Sequence, residues 1–269
     1  MMNNPFNPID TLELTPLTDE EILNILRRVQ SGELSPEEAE QLLAAAASPA
    51  EAPESDNGPL DSQDFSAPLG KSANGKLIFE RGAAGLTLRG EPLADHLFTA
   101  HFEHHVPIVR VNGGTVTIRY RDFGFGLLNW LRYGLKPTRG HVTLNADIPW
   151  QIDLNGGVAN SQLDLRLVKL RGYTLNGGAN NVKLMLGQPQ GVTSVDFTSG
   201  VNNIKILRPA DVAVGLTIHG GAAAIALDNQ KFGAIGGTAT LETPNSQVSP
   251  DRYLINVYGG ANNFKVAAW

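Results

Sequence analysis

Four imidazoles fall within one short stretch, His96, His101, His104 and His105, with Asp95 and Glu103 among them. Imidazole and carboxylate together are ligands for zinc and related ions, and His101 with His104 or His105 would share one face of a helix. The stretch leads instead into strand-like VPIVRVNGG and carries no standard ligand spacing, so it reads as an exposed polar edge without a metal. The chain has no cysteine, which removes thiol nucleophiles, thiolate metal sites and disulfides. It contains no nucleophile elbow and no phosphate-cradling glycine loop closed by Lys-Ser or Lys-Thr. Asp153, Asp164, Asp196 and Asp228 share no column when the repeats are stacked, so no clustered carboxylate face is expected. No catalytic residue, cofactor or metal site is assigned, and the protein reads as a non-enzyme.

The polar groups that do recur are amides and lysines, and they recur in phase. From Ile148 to Trp269 the sequence reads IPWQIDLNGGVANSQLDL, YTLNGGANNVKLML, VDFTSGVNNIKIL, VGLTIHGGAAAIALD and LINVYGGANNFKV. Each copy is an alternating apolar run, a small-residue pair, an Asn-rich corner and a second alternating run. The pairs begin at Gly156, Gly177, Ser199, Gly220 and Gly259, in steps of 21, 22, 21 and 39 residues. The last step is close to two periods, as is the 43-residue distance back to Gly113. A fixed step of this size marks a solenoid of stacked supersecondary units.

Superposing the copies assigns each column a task. Leu154, Leu175, Phe197, Ile218 and Val257 precede the corner and Val182, Ile204, Ile225 and Phe264 follow it; both columns should face inward. Lys183, Lys205 and Lys265 should face out, with Ala226 the exception. The columns Asn180, Asn202, Asn262 and Asn181, Asn203, Asn263 place amides one above another, where they can bridge successive coils as ladders. Ala223 and Ala224 replace both amides in one copy, and the first copy has only Asn160. The competing architecture is a sandwich of hairpins, since Asn155-Gly156 and Asn176-Gly177 are also strong hairpin signals. That architecture gives no reason for amides and lysines to recur in phase. A single coil orders more chain than its burial can offset, so it needs neighbours on both sides and caps at the ends of the stack.

The fold expected is therefore mainly β: a β-solenoid of about 21-residue coils over 76–269, preceded by a small α-helical hairpin and a disordered linker. Residues 1–17 have no periodicity and read as a disordered N-terminus. Thr18 with Glu21 makes a capping box, and Gly32 ends the first helix. Ser35, Pro36 and Glu38 start the second. The hairpin over 18–45 presents Ile22, Leu26, Val29, Leu42 and Leu43, which is too little apolar surface to be stable alone. These residues are the candidate interface with a second copy, another protein or the solenoid end. Residues 46–75 are rich in Ala, Pro, Ser and acid and read as a flexible acidic linker.

Charge divides the chain in the same way. Residues 1–75 hold 14 acidic and 3 basic side chains, whereas 76–269 hold 13 acidic and 18 basic. The start of the chain lacks a basic region followed by an apolar core, and no run of about 18 apolar residues occurs. The expectation is a cytoplasmic protein, peripheral at most to the inner face of the membrane. The basic surplus is modest and matches no nucleic-acid-binding motif, so no nucleic acid is expected.

One segment interrupts the repeat. FGFGLLNWLRYGL, residues 123–135, is too apolar for an ordinary surface loop. Phe123, Phe125, Trp130 and Tyr133 lie beside Arg132, Lys136 and Arg139. Rings flanked by cations suit contact with an anionic membrane surface or a partner. The alternative is that this loop caps an end of the solenoid.

Two resemblances follow from these motifs. LTDEEILNILRRVQSGELSPEEAEQLL, with the turn Gly32 to Ser35 and Glu37 to Leu43 after it, resembles the SHOCT-like helical module of bacterial envelope-stress proteins. The part from Lys76 onward, most clearly ADIPWQIDLNGGVANSQLDL, resembles the toast-rack, LiaF-like and adhesin-like bacterial β-domains. The resemblance implies a β-solenoid-like domain that takes part in cell-envelope stress sensing, with no catalytic residues to carry over. LiaF-like proteins usually carry N-terminal membrane helices, which this sequence does not show. The functional expectation is a scaffold or regulatory protein whose hairpin mediates self-association or partner docking. The alternatives are a peripheral membrane module using 123–139, and a carbohydrate-binding or carbohydrate-active solenoid.

Overall fold

The computed structural model describes residues 62–103, 106–120 and 139–269, together with Arg28, an exposed helical residue. The chain divides into two units, Met1–Gly58 and Pro59–Trp269. The hairpin expected over 18–45, with Ile22, Leu26, Val29, Leu42 and Leu43, lies outside the described residues.

Alternation of apolar and polar residues sets the strands, and the glycine corners fold them in pairs. In β9 (Pro149–Asn155), Trp150, Ile152 and Leu154 are buried while their neighbours are half-buried. After the corner, β10 (Val158–Leu165) buries Val158, Leu163 and Leu165. The next coil lies parallel on this one: β11 (Lys169–Asn176) pairs with β9, and β12 (Ala179–Leu186) pairs with β10. β13 (Val192–Phe197) and β14 (Val201–Arg208) repeat the step on β11 and β12. Each coil thus gives one strand to each of two sheets, of 11 and 9 strands. The pairings Val158 with Ala179 and Ala179 with Val201 are the repeat seen in sequence. Parallel pairing through the stack defines a solenoid, because hairpins would pair antiparallel.

The inward columns form the core. Leu154, Leu175, Phe197, Val257 and Ile218 occupy matching positions in one sheet, and Val182, Ile204, Phe264 and Ile225 in the other. All nine are at most 3% exposed. Each such side chain contributes about 1.5–3 kcal/mol through burial, so these columns dominate the stability of the stack.

The stacking order departs from the sequence order at both ends. β19 (Arg252–Val257) and β20 (Ala261–Ala268) enter between β13/β14 and the earlier pair β15 (Ala213–Ile218) and β16 (Ala222–Leu227). The 39-residue step is therefore not two sequential coils. It is an excursion through β17 (Gln230–Ile235) and β18 (Ala239–Glu242), which pair antiparallel on β16 and β15 and close that end. At the other end, β2 (Gly75–Glu80) and β4 (Leu86–Glu91) lie inside the stack, beneath the later β7 (Thr115–Arg119) and β8 (Arg139–Asn145). The two-residue β3 (Ala83–Ala84) also pairs with β10.

Gly113–Gly114 is not a solenoid corner. It is the turn of an antiparallel hairpin between β6 (Ile108–Asn112) and β7, with φ of 52° and 85°, the left-handed pair that a tight two-residue hairpin requires. The first corner is at Gly82, whose amide donates to the carbonyl of Asn155. The linker also ends earlier than composition suggests. β1 (Ser62–Pro68) is a strand paired with β5 (His96–Glu103), which in turn pairs antiparallel with β8. Phe65 anchors β1 by packing edge-on against Phe102, ring centroids 6.0 Å apart.

Candidate functional site

The corners repeat a demanding backbone geometry. Gly156 and Gly177 have φ of 106° and 143°, and a Cβ at Gly177 would collide with the backbone carbonyl of Gly156. Close backbone approach between coils therefore excludes any side chain there. Four residues after the first residue of each corner pair, Asn160, Asn181, Asn203 and Asn263 take φ between 49° and 56°. Asparagine is the non-glycine residue that best tolerates this left-handed region. Its recurrence at the second corner position thus has a backbone cause as well as a side-chain one.

The amides join coil to coil in two ladders. Asn202 Nδ2 donates to Asn180 Oδ1 at 2.8 Å and Asn262 Nδ2 to Asn202 Oδ1 at 2.7 Å. In the adjacent ladder Asn181 donates to Asn160 (2.8 Å), Asn203 to Asn181 (3.0 Å) and Asn263 to Asn203 (2.9 Å). Ala223 and Ala224 end both ladders at the outermost coil, and Ala224 still holds φ of 54°. A third contact was not anticipated: Asn176 Nδ2 donates to Asn155 Oδ1 at 2.8 Å, before the corner. Its signal was the Asn-Gly dipeptide, read above only as a turn. That column ends in Tyr258 and His219, whose rings stack at 4.8 Å.

Beside the ladders lies a row of lysines. Lys183, Lys205 and Lys265 are direct partners across β12, β14 and β20, followed by Ala226 and then Lys231. Gln162 continues the row on the other side. Neighbouring strands are about 4.8 Å apart, so the ammonium stems emerge at that spacing. Lys183 is half-buried and Lys205 and Lys265 are exposed. A shallow groove of about 480 Å³ runs between Asn160, Asn181 and Asn203 on one side and Gln162, Lys183 and Lys205 on the other. A longer open groove of about 1230 Å³ follows the glycine corners themselves, from Arg81 and Tyr120 to Ile235.

The acidic groups near the lysines are already engaged. Asp164 accepts from Arg166 Nε at 2.8 Å and Nη2 at 2.6 Å, and this hydrogen bonding holds its carboxyl below the usual range. Asp153 and Asp196 do share a column, contrary to the stacking made from sequence. Both pair with Thr174 on opposite sides, so they stand two strands apart in the second sheet. Asp153 is ion-paired with Lys76 at 2.8 Å, and Asp196 accepts from Ser194 (2.6 Å) and Asn256 (2.7 Å).

The remaining candidates are scattered. His101 Nδ1 lies 2.7 Å from Asp64 and its Nε2 lies 3.9 Å from Glu103. His96 is exposed at the start of β5, and His104 and His105 lie outside the described residues. Among the described residues no group of three or more His, Asp or Glu side chains could hold a metal ion. Arg139 is exposed, opposite Glu103 in register. Phe123, Phe125, Trp130, Arg132, Tyr133 and Lys136 lie outside the described residues. No described helix is long and apolar enough to cross a membrane.

Two sheets stacked from short coils and parallel through the stack, with small-residue corners and amide ladders, define a β-solenoid of the toast-rack kind. Residues 56–207 match the family described as the N-terminal domain of toast_rack, DUF2154, and the chain belongs to that family. A solved structure from Clostridium sporogenes, described provisionally as a cell adhesion protein, is similar with a TM-score of 0.56 at 17% identity. The match covers 77% of this chain and 99% of that one. Comparison with curated proteins gives no significant match.

Proposed function

We propose that the protein is a non-enzymatic scaffold or regulatory protein that uses the solenoid as a multivalent contact surface and the 18–45 hairpin for self-association or partner docking. The observation that carries this reading is repetition in register. Three lysines and two amide ladders recur on one face, which suits many weak, identical contacts acting together. Catalysis instead concentrates different groups at one place. The resemblance to envelope-stress proteins supports a role in that response, and the location proposed with it is cytoplasmic, peripheral at most to the inner face of the membrane. The test is light scattering on the full chain and on a variant lacking residues 1–45. The expected outcome is a lower mass with the solenoid's thermal transition retained; an unchanged mass removes the docking role.

A second reading rests on the exposed Arg139 at the start of β8. In it, Phe123 to Arg139 contacts anionic headgroups. Flotation with anionic vesicles should then be salt-sensitive and weakened by Trp130→Ala. Binding that Trp130→Ala leaves unchanged contradicts it.

A further inference from the structure

Among the described residues the lysine row meets little counter-charge: Asp164 lies within Coulombic reach of Lys183 but is already bonded to Arg166. Among the described residues Lys183, Lys205 and Lys265 make no ion pair. On one side of the row stand Asn160, Asn181 and Asn203, which are neutral. On the other stand Asp164, committed to Arg166, and then Met185, Leu207 and Ala267. Three lysine stems leaving neighbouring strands about 4.8 Å apart bring like charges close together, and these repel one another. The parallel register fixes the spacing of the stems, and an external anion laid over them would relieve the repulsion.

The groove beside the row adds hydrogen-bond donors. Each asparagine amide carries two N–H groups, and in the inner ladder, from Asn160 to Asn263, Asn181, Asn203 and Asn263 each use one. The lining is therefore a straight track of cations with amide donors alongside it. Lysine binds phosphate as a point charge on a flexible stem and needs no fixed bidentate geometry. No aromatic ring stands in the row or in the columns beside it, so nothing there can stack nucleobases as single-strand binders do.

We propose that this face binds a linear polyphosphate chain, laid along the stack axis over Lys183, Lys205 and Lys265. This deepens the reading of the solenoid as a contact surface and does not depend on the hairpin, so the two can fail separately. Ala226 interrupts the row before Lys231, which sets its length and allows it to be extended.

The test uses the full chain with long-chain inorganic polyphosphate, orthophosphate, an oligonucleotide of matched charge and phosphatidylglycerol vesicles. Polyphosphate should bind, orthophosphate should compete poorly at equal phosphate concentration, and the other two should bind more weakly. K183Q/K205Q/K265Q should weaken binding about tenfold or more and flatten the logarithmic salt dependence by about two, at roughly 0.7 per lost contact. K71Q/R110Q/R171Q removes the same charge elsewhere and should leave binding within about twofold, while A226K should tighten it. A retained melting transition shows that each variant is folded. Equal loss in both triple variants, full competition by orthophosphate, or preference for the oligonucleotide or the vesicles overturns the proposal.

Discussion

At the end of the stack formed by β7 and β8, the capping strands bring rings into the core; at the end formed by β15 and β16 they bring almost none. β5 buries Leu97, Phe98 and Phe102 at 1% exposure or less. Phe102 packs edge-on between Phe65 and Tyr120, at 6.0 and 6.3 Å. The buried Asn145 ties this end with neutral hydrogen bonds, donating to the His96 carbonyl at 2.7 Å and accepting from the Asp147 amide at 2.9 Å. At the other end, β17 offers only the half-buried Phe232 and Ile235, and β18 buries Leu241. That end is held by charge: buried Arg208 pairs with Asp228 and donates to the Pro209 and Ala210 carbonyls at 2.9 and 3.1 Å. A solenoid must cover its last open strands; antiparallel strands do so at both ends, backed by buried rings at one and by fewer apolar side chains and the Arg208–Asp228 pair at the other.

Substitutions at the two ends should separate these mechanisms. Phe102→Ala removes a fully buried ring and should cost about 3–5 kcal/mol, whereas Phe232→Ala should cost less than about 2 kcal/mol; denaturant titration measures both. Asp228→Asn leaves Arg208 buried without its partner and should cost about 2–3 kcal/mol, less than a fully buried pair because Asp228 is about one-third exposed. Equal effects of Phe102→Ala and Phe232→Ala would erase the contrast.

Alkaline pH should act near both ends. Burial pushes the hydroxyls of Tyr120 and Tyr253 above the usual phenol range, and Tyr253 donates to the Gly187 carbonyl at 3.0 Å. The folded values lie above the unfolded value of about 10, so their contribution is complete below pH about 10 and is lost as pH rises further. Each supplies at most about 1.4 kcal/mol per pH unit in that window. Tyr253→Phe should make the melting temperature less sensitive to pH above about 10.

The smallest effect is a gain. Ala224 holds a left-handed backbone that costs alanine about 1 kcal/mol. Ala224→Asn should relieve it and extend the inner ladder from Asn263 to the outermost coil. The melting temperature should rise by about 2–4 °C, sharpening the weaker end without touching the stronger.

Much of this was legible in the sequence because a solenoid writes its geometry at a fixed step. The corner pairs, the inward column Val182, Ile204, Ile225 and Phe264, and the recurrent asparagines all follow from that step. Coil order was not legible, because near-identical strands pair equally well in more than one sequence. β14 accepts β20 as readily as it would accept β16, and only the antiparallel excursion through β17 and β18 decides. β1 was hidden by its Ser, Ala, Pro and acid content, with Phe65 as its one apolar anchor. The shared column of Asp153 and Asp196 was legible in the same step, since each immediately precedes an aligned apolar residue, Leu154 and Phe197, with Thr174 between them.

The intercalated last coil is the feature most open to direct measurement. The chain has no cysteine, so introduced pairs report distance cleanly. Lys205 and Lys265 are strand partners, about 4.8 Å apart between Cα atoms and within disulfide reach, whereas Lys205 and Ala226 stand two strands apart, beyond about 7 Å. Mild oxidation should therefore close the disulfide in K205C/K265C and leave K205C/A226C reduced. Closure in K205C/A226C with none in K205C/K265C would mean that the coils stack in sequence order, and would contradict the architecture described.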